Sequence, residues 1–277
     1  MKRRSSTLRG WLRQGALCVV ALVWLFPYLW MGLTSLKPLA EIVSSPTALW
    51  PNQPTLDAYR EVFRSLPLAR YFLNTSVMAL GIAALQIALA LPAGYALAKL
   101  RFRGKRWAFG LIVATLLVPA QVRFVPIFSL LASVGLVNTL SGLILPFGVS
   151  ALGTFLVRQA LISVPDAQIE AARMDGASEL YIVYRLLAPL LRPTLISFFL
   201  FSFVSHWNDY FWPLVLTTDE HARTLPLAIA LLREQGTGVR WHLVMAGNVL
   251  LSLPALAVFA AAQRHLLRAV TVRGFGG

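Results

Sequence analysis

Residues 71–98 read YFLNTSVMALGIAALQIALALPAGYALA and carry no charged side chain. About 20 mainly apolar residues in a helix cross the hydrocarbon layer of a bilayer, and lipid offers no partner for an unpaired backbone group, so this run predicts a membrane-spanning helix. Comparable windows lie on both sides of it, at 14–36, 107–130, 140–158, 193–217 and 241–263. Residues 107–122 and 124–157 are uncharged except for Arg123 between them, too long for one helix and sufficient for two, with Gly135, Asn138 and Thr139 marking the break. The fifth window is interrupted only by Asp209. The expected fold is therefore an all-α integral membrane protein of six transmembrane helices, with residues 1–277 forming one transmembrane domain.

The composition agrees, since 57% hydrophobic and 13% charged residues with a mean hydropathy of +0.68 exclude an ordinary soluble globule. A net charge of +14 would suit a nucleic-acid partner, but the bases sit in short runs between apolar windows, so no nucleic acid is expected. Their placement gives an orientation instead. With the N-terminus inside, 17 of the 25 Lys and Arg residues fall in cytoplasmic segments, which predicts that both termini are cytoplasmic. The first window is long for the apolar core of a signal peptide and lacks an Ala-x-Ala-like site, so it reads as a retained span. The single cysteine, Cys18, excludes an internal disulfide framework.

Among the segments assigned to the cytoplasm, residues 159–192 are the one that mixes signs, with four basic and four acidic residues once Arg158 is included. From Ile162 the sequence runs ISVPDAQIEAARMDGASELYIVYRLLAPLLRP. Ser163 and Asp166 have capping-box spacing and Pro165 suits a first turn, predicting a helix over about 164–174. Gly176 supplies a left-handed C-cap, and Ser178 caps a second helix that continues through Tyr181 and Tyr184 until Pro189 and Pro193 disturb it. The result is a bent helical elbow. Ala171 and Ala172 let another surface approach closely, while Glu170 and Asp175 offer carboxylates to a basic partner. Glu170 and Arg173 also have the spacing of an ordinary i, i+3 pair.

The order Glu170-Ala171-Ala172, Asp175-Gly176-Ala177, Pro189 and Pro193 resembles the EAA loop of permease subunits in bacterial ATP-binding-cassette importers. The likeness extends to Trp207 through Pro213, to Leu145-Pro146 and to Gln263 through Arg268. Essentially the whole chain is similar to the second permease subunit of carbohydrate and glycerol-phosphate importers. The resemblance implies a multi-pass permease domain in the bacterial inner membrane. Its elbow, 159–192, would be the coupling loop seated in a cleft of a cytoplasmic ATPase, with Glu170 facing a basic residue there. It further implies a second, homologous permease subunit, a homodimeric ATP-binding subunit that carries ATP and magnesium, and an extracytoplasmic solute-binding protein. Val183 and Ala188 depart from the family pattern, softening the elbow's packing, and the tail 272–277 lacks a common lysine.

No G-x-x-x-x-G-K-[ST] loop occurs, so ATP hydrolysis is expected in another chain, with no cofactor bound here. His206, His221, His242 and His265 show no metal-ligand spacing, and no nucleophile elbow or carboxylate pair is present, so neither a metal site nor a catalytic residue is expected. Polar residues inside spans are the remaining candidates. Asn74, Gln86, Asn208 and Asp209 would line a translocation path, although interhelical hydrogen bonds account for such residues equally well. His206 and Asp209 share a helix face as a proton relay of a secondary carrier would; the preferred alternative sets Asp209 in an interfacial belt with Trp207, Tyr210 and Trp212.

Overall fold

The computed structural model describes residues 4–233 and 239–273, so Lys2, Arg3 and the end of the tail fall outside the described residues. The described residues form helices joined by loops and turns, with no strand among them. Among the described residues, three helices are long and apolar enough to cross a membrane: residues Arg13–Thr34 of α1 (Arg4–Thr34), α4 (Leu68–Lys99) and Trp241–Gln263 of α15 (Trp241–Arg273). Counting each sharply bent helix pair as one span raises the number to six.

The bends are where the sequence expectations need correction. The third window, expected as a continuous span over 107–130, divides into α5 (Lys105–Ala114) and α6 (Phe124–Ser133), with the flanking turns bent by 102°. Pro119 is the reason: it has no amide to continue the helix, and it pushes Val118 into an extended conformation (φ −84°, ψ 114°). The fourth window bends by 43° between a helical stretch over Leu140–Phe147, which contains α7 (Leu140–Ile144), and α8 (Ala151–Ile162). Within the fifth, α12 (Arg192–Trp207) stops and α13 (Phe211–Leu216) restarts after Asp209, whose carboxylate accepts the Trp212 amide at 3.2 Å. The break expected at Gly135, Asn138 and Thr139 is present. Gly135 and Asn138 adopt φ of 70° and 62°, and the Thr139 hydroxyl caps α7 through the Gly142 amide.

By its contacts the chain divides into two compact units, Met1–Leu68 with Ala228–Leu253, and Ala69–Leu227 with Pro254–Gly277. In the first, α2 (Leu39–Ser44) and α3 (Asp57–Ser65) follow α1, and Ala58 and Val62 of α3 pack on Leu232, Leu243 and Ala246. Glu61 pairs with Arg240. Apolar side chains along the middle of α1, Leu22 and Trp24 among them, are exposed, as suits a helix whose surroundings are lipid.

In the second unit one face of α4 is buried in two cores. Met78 and Ile82 contribute to a core with Leu143, Trp212 and Leu216, while Ala90, Leu91 and Tyr95 join a separate core with Val157, Leu161 and the elbow residues Ile169, Ile182, Val183 and Leu187. Helices α4 and α8 touch at Gly94, where a Cβ would lie 2.6 Å from Val157 Cγ1 and 3.0 Å from the Arg158 amide nitrogen. Backbone cannot yield as a flexible side chain does, so Gly94→Ala should force the helices apart at a cost of about 1–3 kcal/mol. Gly110→Ala, with nothing within 4 Å, is the control. Thermal melts of the purified protein should show a lower midpoint for the first variant only.

Candidate functional site

The elbow is built from α9 (Asp166–Met174), α10 (Glu179–Tyr181), a π-helical stretch over Ile182–Leu187, and α11 (Ala188–Leu190). Helix α9 starts two residues later than expected, because the capping box does not form. The Ser163 hydroxyl donates to Ala160 O instead, and the Asp166 carboxylate turns to Lys99. Gly176 does adopt the left-handed conformation (φ 78°), and the Ser178 hydroxyl accepts the Tyr181 amide. The second arm stays helical through Pro189, since a π turn ahead of it absorbs a residue that cannot donate, and it meets α12 at an angle of 87°.

The expected docking residues divide between two faces. Glu170, Ala171, Asp175, Gly176 and Pro189 are exposed, whereas Ala172 and Ala177 pack against the core formed by Ile169, Ile182 and Val183. Ala172 and Ala177 are therefore small to fit this chain's own core. The i, i+3 pair is absent: Arg173 turns away from Glu170 to Glu179, leaving Glu170 without an ion pair among the described residues. Met174, 88% exposed, adds an apolar knob beside Glu170 and Asp175 that the charge pattern did not point to. Leu180 and Tyr181 are also exposed.

Beneath this surface the elbow is tied to the end of α4 by two polar groups. Lys99 Nζ, its side chain only 9% exposed, donates to Val164 O at 2.5 Å and to Asp166 Oδ1 at 2.6 Å. Arg173 Nε donates to Glu179 Oε1 at 2.8 Å and its Nη2 to the Tyr95 hydroxyl at 2.9 Å, while Tyr95 donates to Glu179 Oε2. The Arg173 hydrogen bond, followed by that from Tyr95, holds the Glu179 carboxyl below its ordinary value of 4.5. The Lys99 hydrogen bond and charge lower Asp166 in the same way. Tyr95, Lys99 and Glu179 were not singled out from the sequence; a tyrosine and a lysine closing an apolar span were the available signal.

The four polar residues read as path candidates do not converge on one point. Asn74 is buried, and its amide donates to His221 O at 2.8 Å and Arg223 O at 2.9 Å. Gln86 is buried, donating to Phe147 O at 2.8 Å and accepting from the Ser202 hydroxyl at 2.9 Å. Asn208 is exposed and bonds Val204 O within its own helix, and Asp209 caps α13. His206 donates through Nδ1 to Ser202 O at 2.7 Å.

Long apolar helices and a two-faced elbow suit a membrane transport component, and the comparisons give the family. Residues 86–272 match the family described as binding-protein-dependent transport system inner membrane component. The chain belongs to this family of membrane permeases. It is 30% identical to the arabinooligosaccharides transport system permease protein AraQ of Halalkalibacterium halodurans over 280 residues, covering 100% of both chains. It is 32% identical to the sn-glycerol-3-phosphate transport system permease protein UgpE of Pectobacterium atrosepticum, covering 82% of this chain and 84% of the relative. Among solved structures it resembles a chain of a bacterial ABC transporter involved in the import of the acidic polysaccharide alginate. That match has a TM-score of 0.80 and 26% identity, covering 95% of this chain and 98% of the other.

The Arg173–Glu179 pair has a defined acid limit. A carboxyl whose folded value lies below its unfolded one stabilises the fold above the unfolded value, and that contribution is lost as pH falls through the folded value. Glu179→Gln should therefore lower the melting temperature at neutral pH, with the gap to the wild type closing below about pH 4. A gap that does not change with pH would contradict the pair's contribution.

Proposed function

We propose that the chain is one permease half of an ATP-driven, binding-protein-dependent importer for sugars or related polyols and glycerol phosphates. Six spans with both termini cytoplasmic would place the elbow, 159–192, on the cytoplasmic side, in keeping with the bias of basic residues. A homologous permease would complete the pathway, a separate ATPase dimer would bind ATP and magnesium, and an external binding protein would deliver the solute. The names of the relatives, an arabinooligosaccharide permease and a glycerol-3-phosphate permease, support the solute class. The family's description as a binding-protein-dependent transport system component supports the external partner.

The observation that carries the coupling role is the two-sided elbow. Its inner face is packed and ion-paired within this chain, while its outer face leaves Glu170, Asp175 and Met174 exposed. Exposed carboxylates around an apolar side chain suit a basic-rimmed cleft on a partner. ATP-driven closure of the partner dimer would push this surface and rock the spans between inward and outward access.

The proton-carrier reading loses support from the geometry, because His206 and Asp209 have separate tasks: one donates to Ser202 O and the other caps α13.

Glu170→Lys should reduce ATPase co-purification by more than about tenfold, the scale for reversing a charge that faces an opposite one. Gly176→Val should strain the left-handed turn by about 1–2 kcal/mol and impair uptake while the membrane-embedded part still folds. Uptake would be followed with labelled arabinooligosaccharide and sn-glycerol 3-phosphate. Full partner binding and uptake in both variants would overturn the coupling role.

A further inference from the structure

We infer that the elbow and α4 move as one body, and that Tyr184 is the positioning residue that makes the joint by filling a gap left by Pro92. The inference rests on the elbow being the ATPase-coupling element. It names the helix that receives the motion and the contact that transmits it.

Pro92 lies inside α4 and has no N–H. In a regular helix the amide of residue 92 would bond to Ala88 O, so that carbonyl is orphaned within its own helix. In an apolar setting such a group needs a partner. The Tyr184 hydroxyl supplies it, donating to Ala88 O at 2.8 Å. Tyr184 belongs to the π-helical stretch of the elbow's second arm, between the buried residues Val183 and Leu187.

This is the uppermost of three attachments along α4. Tyr95 meets Arg173 and Glu179, and Lys99 meets Val164 O and Asp166. From Ala88 to Lys99 the attachments cover roughly 16 Å of helix. A single contact would act as a hinge; three along this length resist both tilt and sliding. The covalent route from the elbow into α12, by contrast, passes through the 87° bend at Leu191. At its far end α4 holds the segment 221–225, through Arg70 to His221, Asn74 to His221 O and Arg223 O, and Thr75 to the Leu225 amide. A push on the elbow is thus carried along α4 to that segment, and α12 receives it from α4 through the Gln86–Ser202 hydrogen bond as well as through the bend.

The test is a cycle of Tyr184→Phe, Pro92→Ala and the double variant, each assembled with its partner permease and ATPase in proteoliposomes. Basal ATP hydrolysis per assembled complex and the melting temperature are the readouts. Without the hydroxyl the elbow slips on α4 and hydrolysis runs unloaded, so Tyr184→Phe should raise the basal rate about fivefold, the equivalent of one net hydrogen bond. Alanine at 92 restores an amide to Ala88 O, so adding Tyr184→Phe to Pro92→Ala should change the rate less than twofold. Equal effects of Tyr184→Phe in both backgrounds would overturn the Pro92 link. A lowered melting temperature with an unchanged rate would make the contact merely structural and overturn the joint. If the wild-type chain brings down no ATPase, the coupling role itself fails, an outcome distinct from either of these.

Discussion

A backbone carbonyl or amide without a partner costs about 2–7 kcal/mol in an apolar medium, and lipid supplies no substitute. This chain interrupts its apolar helices repeatedly, at Pro119, at Gly148–Ser150, at Leu191 and at Asn208–Tyr210, and each interruption releases backbone groups. The polar side chains that close several of these gaps sit on α4. Gln86 takes the Phe147 carbonyl where the fourth window bends, Asn74 takes two carbonyls of the segment 221–223, and Thr75 accepts the first amide of α14 (Leu225–Leu231). Where α4 itself is interrupted by Pro92, the elbow returns the service through Tyr184.

The same constraint explains why the elbow has two faces. Its inner residues are fixed by the need to pack on Leu91, Tyr95 and Val157 and to satisfy Lys99 and Glu179 close to an apolar core. No contact among the described residues pairs the outer carboxylates Glu170 and Asp175. Gly176 has open space around it, so its identity is set by a left-handed turn and not by crowding. Glu170 and Asp175 are exposed carboxylates, and Met174 is an apolar side chain in an otherwise polar neighbourhood. A surface left free on a frame otherwise bound so closely is suited to receive force from outside.

The long spans, the elbow and the break near Asn138 were legible in the sequence because each rests on a local signal: absence of charge, a capping serine, a glycine or asparagine in a left-handed turn. The 102° bend at Pro119 was missed because hydropathy does not distinguish a straight apolar run from a folded one. Ser163 failed as a cap because Lys99, far away in sequence, offered Asp166 a better partner than the helix start did. Ala172 and Ala177 belong to the run that resembles the EAA loop, and only the packing reveals that they face inward. Asn74 and Gln86 illustrate the same limit. A polar residue in a span announces that something must be satisfied, and only the fold says what.

That the elbow and α4 move as one body is tested most directly by pulsed electron resonance on the assembled importer, with Cys18 replaced by Ser and spin labels at Arg185 and Leu89. With and without ATP, the Arg185–Leu89 distance should stay constant. A shift between Arg185 and Leu89 on adding ATP would show that the elbow moves on α4 and would contradict the joint.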